Sequence, residues 1–163
     1  SGDETFLSHA ADRMAKLEIQ AYFFQDGRRT DLPAPAFEAE QFRPATAWDI
    51  PGILAASGDF FDQLAERIEK GEIFVLENAG QLMGIGIIEW GRLLPETASI
   101  GMFTVDAFRK QGVGRAILRH LKAHCLAHGR APVAGCWVGN HASKRTLQAA
   151  GMITKTRLFR VTF

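Results

Sequence analysis

The segment RKQGVGR, residues 109–115, contains two glycines and three cations. It follows the apolar run IGMFTV and opens the helical pattern VGRAILRHLKAHC, so the turn joins a strand to a helix. The first N–H groups of a helix lack intrahelical partners and carry partial positive charge, which suits a bound phosphate. Gly112 and Gly114 let the main chain approach an anion closely. The turn therefore predicts a pyrophosphate site, with three cations around it: Arg109, Lys110 and Arg115.

The glycine pattern alone leaves a second interpretation open, a solvated basic turn whose glycine begins a helix. Two well-known phosphate loops fit poorly. The pattern GxxxxGK[ST] is absent, and the dinucleotide fingerprint needs a third glycine and a later acidic residue, whereas no Asp or Glu follows Asp106. A nucleotide-binding domain of another fold remains a third interpretation.

The whole chain has the size and composition of one globular domain. It has 163 residues, of which 47% are hydrophobic and 23% charged, with a formal net charge of +1. This charge gives no reason to expect nucleic acid or an anionic membrane as partner. The two cysteines, Cys125 and Cys136, form neither a disulfide framework nor a short metal-binding spacing, so we expect reduced thiols in a cytoplasmic protein.

Strand-like and helix-like segments alternate along most of the chain, which predicts a mixed α/β fold. The proline-containing segment TDLPAPAFEAE suggests a boundary near residue 39. Residues 1–39 are then an N-terminal extension or the remnant of a preceding domain, and residues 40–163 form the main domain. We predict helices at 3–16, 48–58, 59–70, 112–128 and 141–151, and strands at 17–24, 41–46, 72–78, 81–90, 96–105, 131–138 and 152–163, the last as one strand or two.

The same turn carries a family resemblance. It matches [RQ]xxGx[GA], the acyl-CoA pyrophosphate signature of the GNAT N-acetyltransferases, through Arg109, Gly112 and Gly114. Three longer segments resemble that family in the same order, and together the resemblance covers roughly residues 41–163. These segments are FRPATAWDIPGI, IGMFTVDAFRKQGVG and NHASKRTLQAAGM.

The resemblance implies a strongly twisted mixed sheet with helices on both faces and acetyl-CoA as co-substrate. Two parallel strands, 97–105 and 132–138, would part to admit the pantetheine arm. Main-chain groups of residues 103–105 would pair with that arm, and residues 111–115 would hold the pyrophosphate. Arg109, Lys110 or Lys144 would meet the 3′-phosphate. The implied CoA-binding residues are Phe103, Thr104, Val105, Arg109, Lys110, Gln111, Gly112, Val113, Gly114, Arg115, Asn140, Ser143 and Lys144.

Acetyl transfer to an amine needs a base for the amine and a donor for the developing oxyanion. Glu89, at the end of the strand QLMGIGIIEW, is our candidate base, although an ordinary strand-end carboxylate is the alternative. Glu77 and Glu96 are weaker candidates. Phe60, Phe61 and Trp90 are candidates for an acceptor pocket, with core packing as the alternative.

The acid that many family members use is a Tyr, and here Leu147 occupies its position. A CoA thiolate is a tolerable leaving group near neutral pH, and His141, Ser143 or water can substitute for the acid. The resemblance therefore predicts an enzyme, an acetyl-CoA-dependent N-acetyltransferase. The alternative is an acyl-CoA-binding sensor or interaction module with little turnover.

Three histidines, His120, His124 and His128, recur every four residues on the predicted helix 112–128. Two such imidazoles can share a metal, but no obvious carboxylate accompanies them, so we expect no metal. The expected partner is an amine on a small molecule or a peptide, and the sequence does not say which. By analogy with the family, the closing strand RLFRVTF can also pair with a second copy of the chain.

Overall fold

The computed structural model describes residues 16–28, 31–34, 37–38 and 41–162, which form one seven-stranded sheet with four α-helices. The helix predicted for residues 3–16 falls on residues outside this part, apart from Lys16, which begins a strand. The strands are β1 (Lys16–Asp26), β2 (Phe42–Pro44), β3 (Ile73–Asn78), β4 (Gln81–Trp90), β5 (Thr97–Thr104), β6 (Ala131–Trp137) and β7 (Met152–Thr162). The helices are α1 (Ile50–Ser57), α2 (Leu64–Glu69), α3 (Val113–Ala127) and α4 (His141–Ala149).

The sheet is mixed, and its strand order is β2-β3-β4-β5-β6-β1-β7. Every neighbouring pair is antiparallel except β5 and β6. Their parallel register runs from Thr97 opposite Ala131 to Ser99 opposite Val133 and ends there. Beyond that point the two strands part, which confirms the predicted mixed sheet with a splayed parallel pair.

Helices cover both faces of the sheet. On one face α3 lies so close to β4 that a Cβ on Gly84 would stand 2.7 Å from Ile117 Cδ1. On the other face α1 and α2 bury a second cluster that includes Ile53, Leu64 and Ile85. Neighbouring residues of a strand point to opposite faces, so Ile85 and Glu89 of β4 share the α1/α2 face, whereas Gly84 faces α3.

Strand β1 lies between β6 and β7 and pairs with both. The nearly buried Lys122 of α3 donates to Asp26 Oδ1 at 2.7 Å and to Ala150 O at 3.0 Å, which ties β1 to α3 and to the end of α4. β1 precedes the boundary predicted near residue 39, yet it belongs to the same sheet as the elements after that boundary. The predicted extension therefore contributes a strand to the sheet.

Some element ends differ from the sequence-based expectation. The helix predicted for residues 59–70 is shorter, because Gln63 adopts a left-handed conformation with φ 51° and α2 begins only after it. The helix predicted for residues 48–58 starts as a 3₁₀ turn, Ala47–Asp49, in which the Asp49 carboxylate accepts from the Thr46 N–H at 2.6 Å. The closing segment is one strand, β7.

None of the helices in the described part of the chain is long and apolar enough to cross a membrane.

Candidate active site

The turn between β5 and α3 presents a row of free main-chain N–H groups. After β5 the chain makes a 3₁₀ turn, Asp106–Phe108, and Lys110 and Gly112 then adopt positive φ angles of 63° and 85°. Among the described residues, the N–H groups of residues 110–115 have no hydrogen-bond acceptor, and the first helical bond runs from Ala116 N to Gly112 O at 2.9 Å. Six consecutive free donors at the start of a 15-residue helix are suited to a phosphate group.

Two further features of the turn fit a phosphate-bearing group. Arg115 Nε is buried and has no hydrogen-bond partner in the described part of the chain, so a donor remains unsatisfied there. Gly114 lets the start of α3 approach β5 and α4 closely. A Cβ at that position would stand 3.2 Å from both Thr104 Oγ1 and Thr146 Cγ2, and 3.3 Å from Met102 Sδ.

The cations predicted to meet a 3′-phosphate differ in their surroundings. Arg109 Nη2 lies 2.8 Å from Asp106 Oδ1, and both side chains are exposed. Lys144 Nζ lies 3.9 Å from the centroid of the Tyr22 ring, a cation–π contact that directs it toward β1. Lys110 is exposed and makes no ion pair with any described residue. Gln111 donates from Nε2 to Ala107 O at 3.1 Å, which stabilises the turn itself.

The free edge of β5 faces the gap that opens between β5 and β6. Main-chain groups of successive residues point alternately to the two neighbouring strands. Glu96 O accepts from Ala131 N of β6, so even-numbered residues of β5 face the gap, and Met102 and Thr104 are the last of them. The main-chain N–H and C=O groups of Met102 and Thr104 lie beyond the last β5–β6 pair, Ser99 and Val133.

This alternation corrects the predicted set of main-chain contacts. Val105 N donates to Met83 O at 3.0 Å, and Val105 O accepts from Phe108 N at 2.9 Å, so both groups are occupied. Phe103 faces β4 in the same register, opposite Ile85. Of the three predicted residues, only Thr104 turns its main chain to the gap. Met102, which the sequence did not single out, also turns its main chain to the gap, as two-residue alternation from Thr104 requires.

The segment that follows β6 places Asn140 and Ser143 at the start of α4. Asn140 Oδ1 accepts from Ser143 N at 3.0 Å, so Asn140 caps the helix. Leu147, at the position of the expected acid, is only 4% exposed and packs in the core. His141 is exposed at the first turn of the helix. The Leu147 position therefore carries a buried aliphatic side chain and no ionisable group.

A cavity of about 340 Å³ lies on the α1/α2 face, where β5 and β6 part. Glu89 pairs with Ser99, and Ser99 pairs with Val133 in the last β5–β6 pair; all three line the cavity. Arg67 of α2 holds Glu89 Oε1 at 2.8 Å and Glu72 Oε2 at 3.1 Å, with only 14% of its side chain exposed. Glu89 is thus an oriented carboxylate beside the gap.

The other predicted carboxylates lie elsewhere. Glu77 is bound to Arg43 at 2.8 Å between β2 and β3, and Glu96 is exposed outside the cavity. Sequence analysis missed Arg67, Glu72 and Arg92 of the cavity, because they come from separate segments and match no local motif. A second cavity of about 380 Å³ shares Ser99 and Val133 with the first and is lined mainly by residues of β1, β6 and β7.

The predicted aromatic residues divide between the two faces. The half-exposed Phe60 ring stacks beside Phe103, with 5.2 Å between ring centroids, on the same face as Glu89. Trp90 lies on the α3 face instead, with its ring centroid 6.3 Å from that of His124 and 5.8 Å from that of His128. Although its ring packs on α3, Trp90 is among the residues that line the cavity, whereas Phe60 and Phe61 are not.

The three histidines of α3 pack against aromatic rings. His120 stacks on Phe42 with 5.1 Å between centroids, and the centroids of His124 and His128 are 4.4 Å apart. Burial, together with the neighbouring His128, lowers the pKa of His124. Within the described ranges no group of three or more His, Cys, Asp or Glu side chains is placed to hold a metal ion.

Comparison with known proteins agrees with this architecture. The family model described as the acetyltransferase (GNAT) family matches residues 14–152, so the match includes β1. This chain belongs to the GNAT acetyltransferase family. No protein of curated function matches the sequence.

Solved structures share the fold at low sequence identity. A GNAT-family acetyltransferase from Colwellia psychrerythraea is 19% identical, with a TM-score of 0.81, over 99% of this chain and 62% of its own. A GNAT-family protein from Novosphingobium aromaticivorans is 17% identical, with a TM-score of 0.65, over 91% and 65%. The protein yncA from Salmonella typhimurium, solved with its cofactor acetyl-CoA, is 21% identical, with a TM-score of 0.56, over 68% and 77%. This chain therefore spans less than two thirds of the first two proteins.

Proposed function

We propose that this chain transfers an acetyl group from acetyl-CoA to a primary amine, with both substrates bound at once. The observation that carries the proposal is the row of free N–H groups at residues 110–115, next to the open edge of β5. One part suits a pyrophosphate and the other an extended amide-containing arm, and acetyl-CoA has both.

The proposed contacts follow from which groups are free. The N–H groups of residues 111–115 bind the pyrophosphate, with the Arg115 guanidinium beside them. Main-chain groups of Met102 and Thr104 pair with the pantetheine amides as an added strand would. Asn140 keeps its Nδ2 for the same arm, because only its Oδ1 is used in capping α4. Lys110 meets the 3′-phosphate, since Arg109 and Lys144 already have partners.

Acetyl-CoA, when bound, supplies a thioester whose C–S bond breaks as the C–N bond to the amine forms. Glu89 receives the proton that the amine must lose, directly or through one water. The N–H of Met102 or Thr104, whichever of the two is not paired with the pantetheine arm, stabilises the negative charge that develops on the carbonyl oxygen. With Leu147 at the usual acid position, the departing thiolate takes its proton from water.

A combined binding and turnover experiment tests this proposal. Thermal unfolding is measured with acetyl-CoA, CoA, ATP and NAD, and free thiol is then followed in the same samples across a panel of amines. We expect acetyl-CoA and CoA, but not ATP or NAD, to raise the melting temperature, and an amine to accelerate thiol release. A ligand at 100 times its Kd stabilises by about 2.7 kcal/mol, which is easily detected. Absence of any shift with CoA would refute the assignment of the turn.

The second candidate function is acyl-CoA binding without turnover, as in a sensor or an interaction module. The buried Leu147 favours it, because that position supplies no acid. It predicts the same shift with acetyl-CoA but no amine-dependent thiol release. The two candidates therefore separate within one experiment.

A further inference from the structure

The cavity beside Glu89 carries separated charges of both signs. Arg67 is bound to Glu72 and Glu89, and Lys70 is bound to Glu66 at 2.6 Å. Arg92 also lines the cavity, is exposed, and makes no ion pair with any described residue. The cavity thus combines an oriented carboxylate, whose second oxygen Oε2 is not used by Arg67, with an unpaired guanidinium.

From this arrangement, and on the basis of the proposed function, we infer that the acceptor is a small amine that also carries a carboxylate, of amino-acid size. Glu89 holds the ammonium group near the Ser99–Val133 pair, and Arg92 binds the carboxylate. Guanidinium–carboxylate pairs are bidentate and charge-assisted, so Arg92 can fix the orientation of the acceptor.

The position of Glu89 supports this assignment of the ammonium end. Its Oε1 is fixed by a side chain that is itself largely buried and that bonds two further carboxylates, Glu72 and Asp62. Glu89 therefore does not need to be ordered when the acceptor binds, which lowers the cost of binding. The Ser99–Val133 pair next to it marks the point where the gap begins.

The cavity argues against other amine classes. A polyamine has a second cation, which would lie against the unpaired Arg92 or the paired Lys70. An aromatic amine needs an apolar lining, whereas most side chains around this cavity are polar or charged. The volume of about 340 Å³ is sufficient for a molecule of amino-acid size.

The test uses matched acceptors and matched variants. Glycine, β-alanine, 4-aminobutanoate and the L-α-amino acids are compared with their carboxamides and with the amines left after decarboxylation, as kcat/KM for acetyl-CoA-dependent thiol release. The variants are Arg92→Gln and, as control, Arg160→Gln, which removes an exposed arginine of β7 outside the cavity. Binding of the best acceptor to the protein–CoA complex is measured by calorimetry.

We expect a carboxylate-bearing amine to exceed its carboxamide by about tenfold or more, because a charge-assisted pair is lost in the amide. Arg92→Gln should remove this preference and weaken acceptor binding, while Arg160→Gln and the thermal shift with acetyl-CoA stay unchanged. Equal use of the carboxamide, or a preference that survives Arg92→Gln, overturns the inference. Thiol release with a polyamine or aryl amine alone overturns it but leaves the acetyltransferase proposal standing. If none of the amines gives thiol release, both the inference about the acceptor and the acetyltransferase proposal are overturned.

Discussion

The β5–α3 turn and the polar cavity lie on opposite faces of the sheet and are built in different ways. The turn is made of consecutive residues, 110–115, and offers main-chain N–H groups. The cavity is made of side chains from α2, β4, β5 and β6, which are far apart in the chain. The gap between β5 and β6 connects the two, since Ser99 lines the cavity and Thr104 stands beside Gly114 of the turn.

A site made of main-chain groups tolerates most sequence changes, whereas a site made of side chains does not. A main-chain donor survives any substitution that keeps the local conformation, so the turn needs glycine at only a few positions. Substitution of a charged side chain that lines the cavity changes the charge pattern there. If the turn binds CoA and the cavity binds the acceptor, as proposed, CoA binding should respond to backbone and steric changes in the turn, and acceptor binding to single charges in the cavity.

The largest effect is expected from Gly112→Glu. It places bulk and a negative charge among the free N–H groups, and it requires a φ of 85° that side chains rarely adopt. We expect no thermal shift with CoA at any usable concentration, together with a folded protein. The measurement is the melting temperature with and without CoA, alongside the far-ultraviolet circular dichroism spectrum.

Gly80→Glu is the matched control for this change. Gly80 also has positive φ, 75°, and a Cβ there would meet nothing within 4 Å. It therefore reproduces the backbone strain and the added charge in the β3–β4 turn, away from the site. The account of the turn fails if both variants bind CoA equally well, or if both lose binding.

A smaller effect is expected from Glu89→Gln at the other site. Loss of the carboxylate should reduce kcat/KM for the amine by about 100-fold, the usual scale for a general base, and leave CoA binding intact. Glu69→Gln is the control, because Glu69 is exposed on α2 and makes no ion pair with a described residue. Unchanged turnover in Glu89→Gln would mean that Glu89 is an ordinary strand-end carboxylate and not the base.

The sequence predicts the turn far better than the cavity, for the same physical reason. Gly112, Gly114 and the strand–helix junction are local, so a short motif contains them. Arg67 and Glu89 are 22 positions apart and meet only because α2 packs on the face of the sheet to which the Glu89 side chain points. The place of β1 between β6 and β7 was also beyond local patterns, because strand order depends on tertiary packing. The main-chain groups that β5 presents to the gap could not be predicted either, because they depend on which neighbouring strand each residue of β5 faces.

Asp26→Asn tests whether both sites depend on the strand that the sequence set apart. The change leaves the nearly buried ammonium of Lys122 without its carboxylate, which should destabilise the fold by about 2 kcal/mol, since Asp26 keeps some solvent contact. For a domain of this size that corresponds to a melting temperature lower by about 4–8 °C. CoA affinity and kcat/KM at 25 °C should stay near those of the unmodified protein.

Asp59→Asn serves as the comparison for Asp26→Asn, because Asp59 is exposed and forms no ion pair among the described residues. A loss of CoA affinity in Asp26→Asn without a loss of stability would mean that β1 acts on the gap directly rather than through the sheet.

The smallest effect is expected at the two cysteines. Cys136 lies in β6, one of the two strands that border the gap. Burial raises the pKa of the Cys125 thiol to about 11 and raises that of Cys136 as well, so little thiolate forms near neutral pH. Since the thiolate is the reactive species, a thiol reagent at pH 8 should modify neither residue within minutes in the folded protein, and both in denaturant. Thiol released in the transfer assay then comes from CoA alone. Rapid modification of Cys136, slowed by CoA, would instead show that β6 opens along the gap.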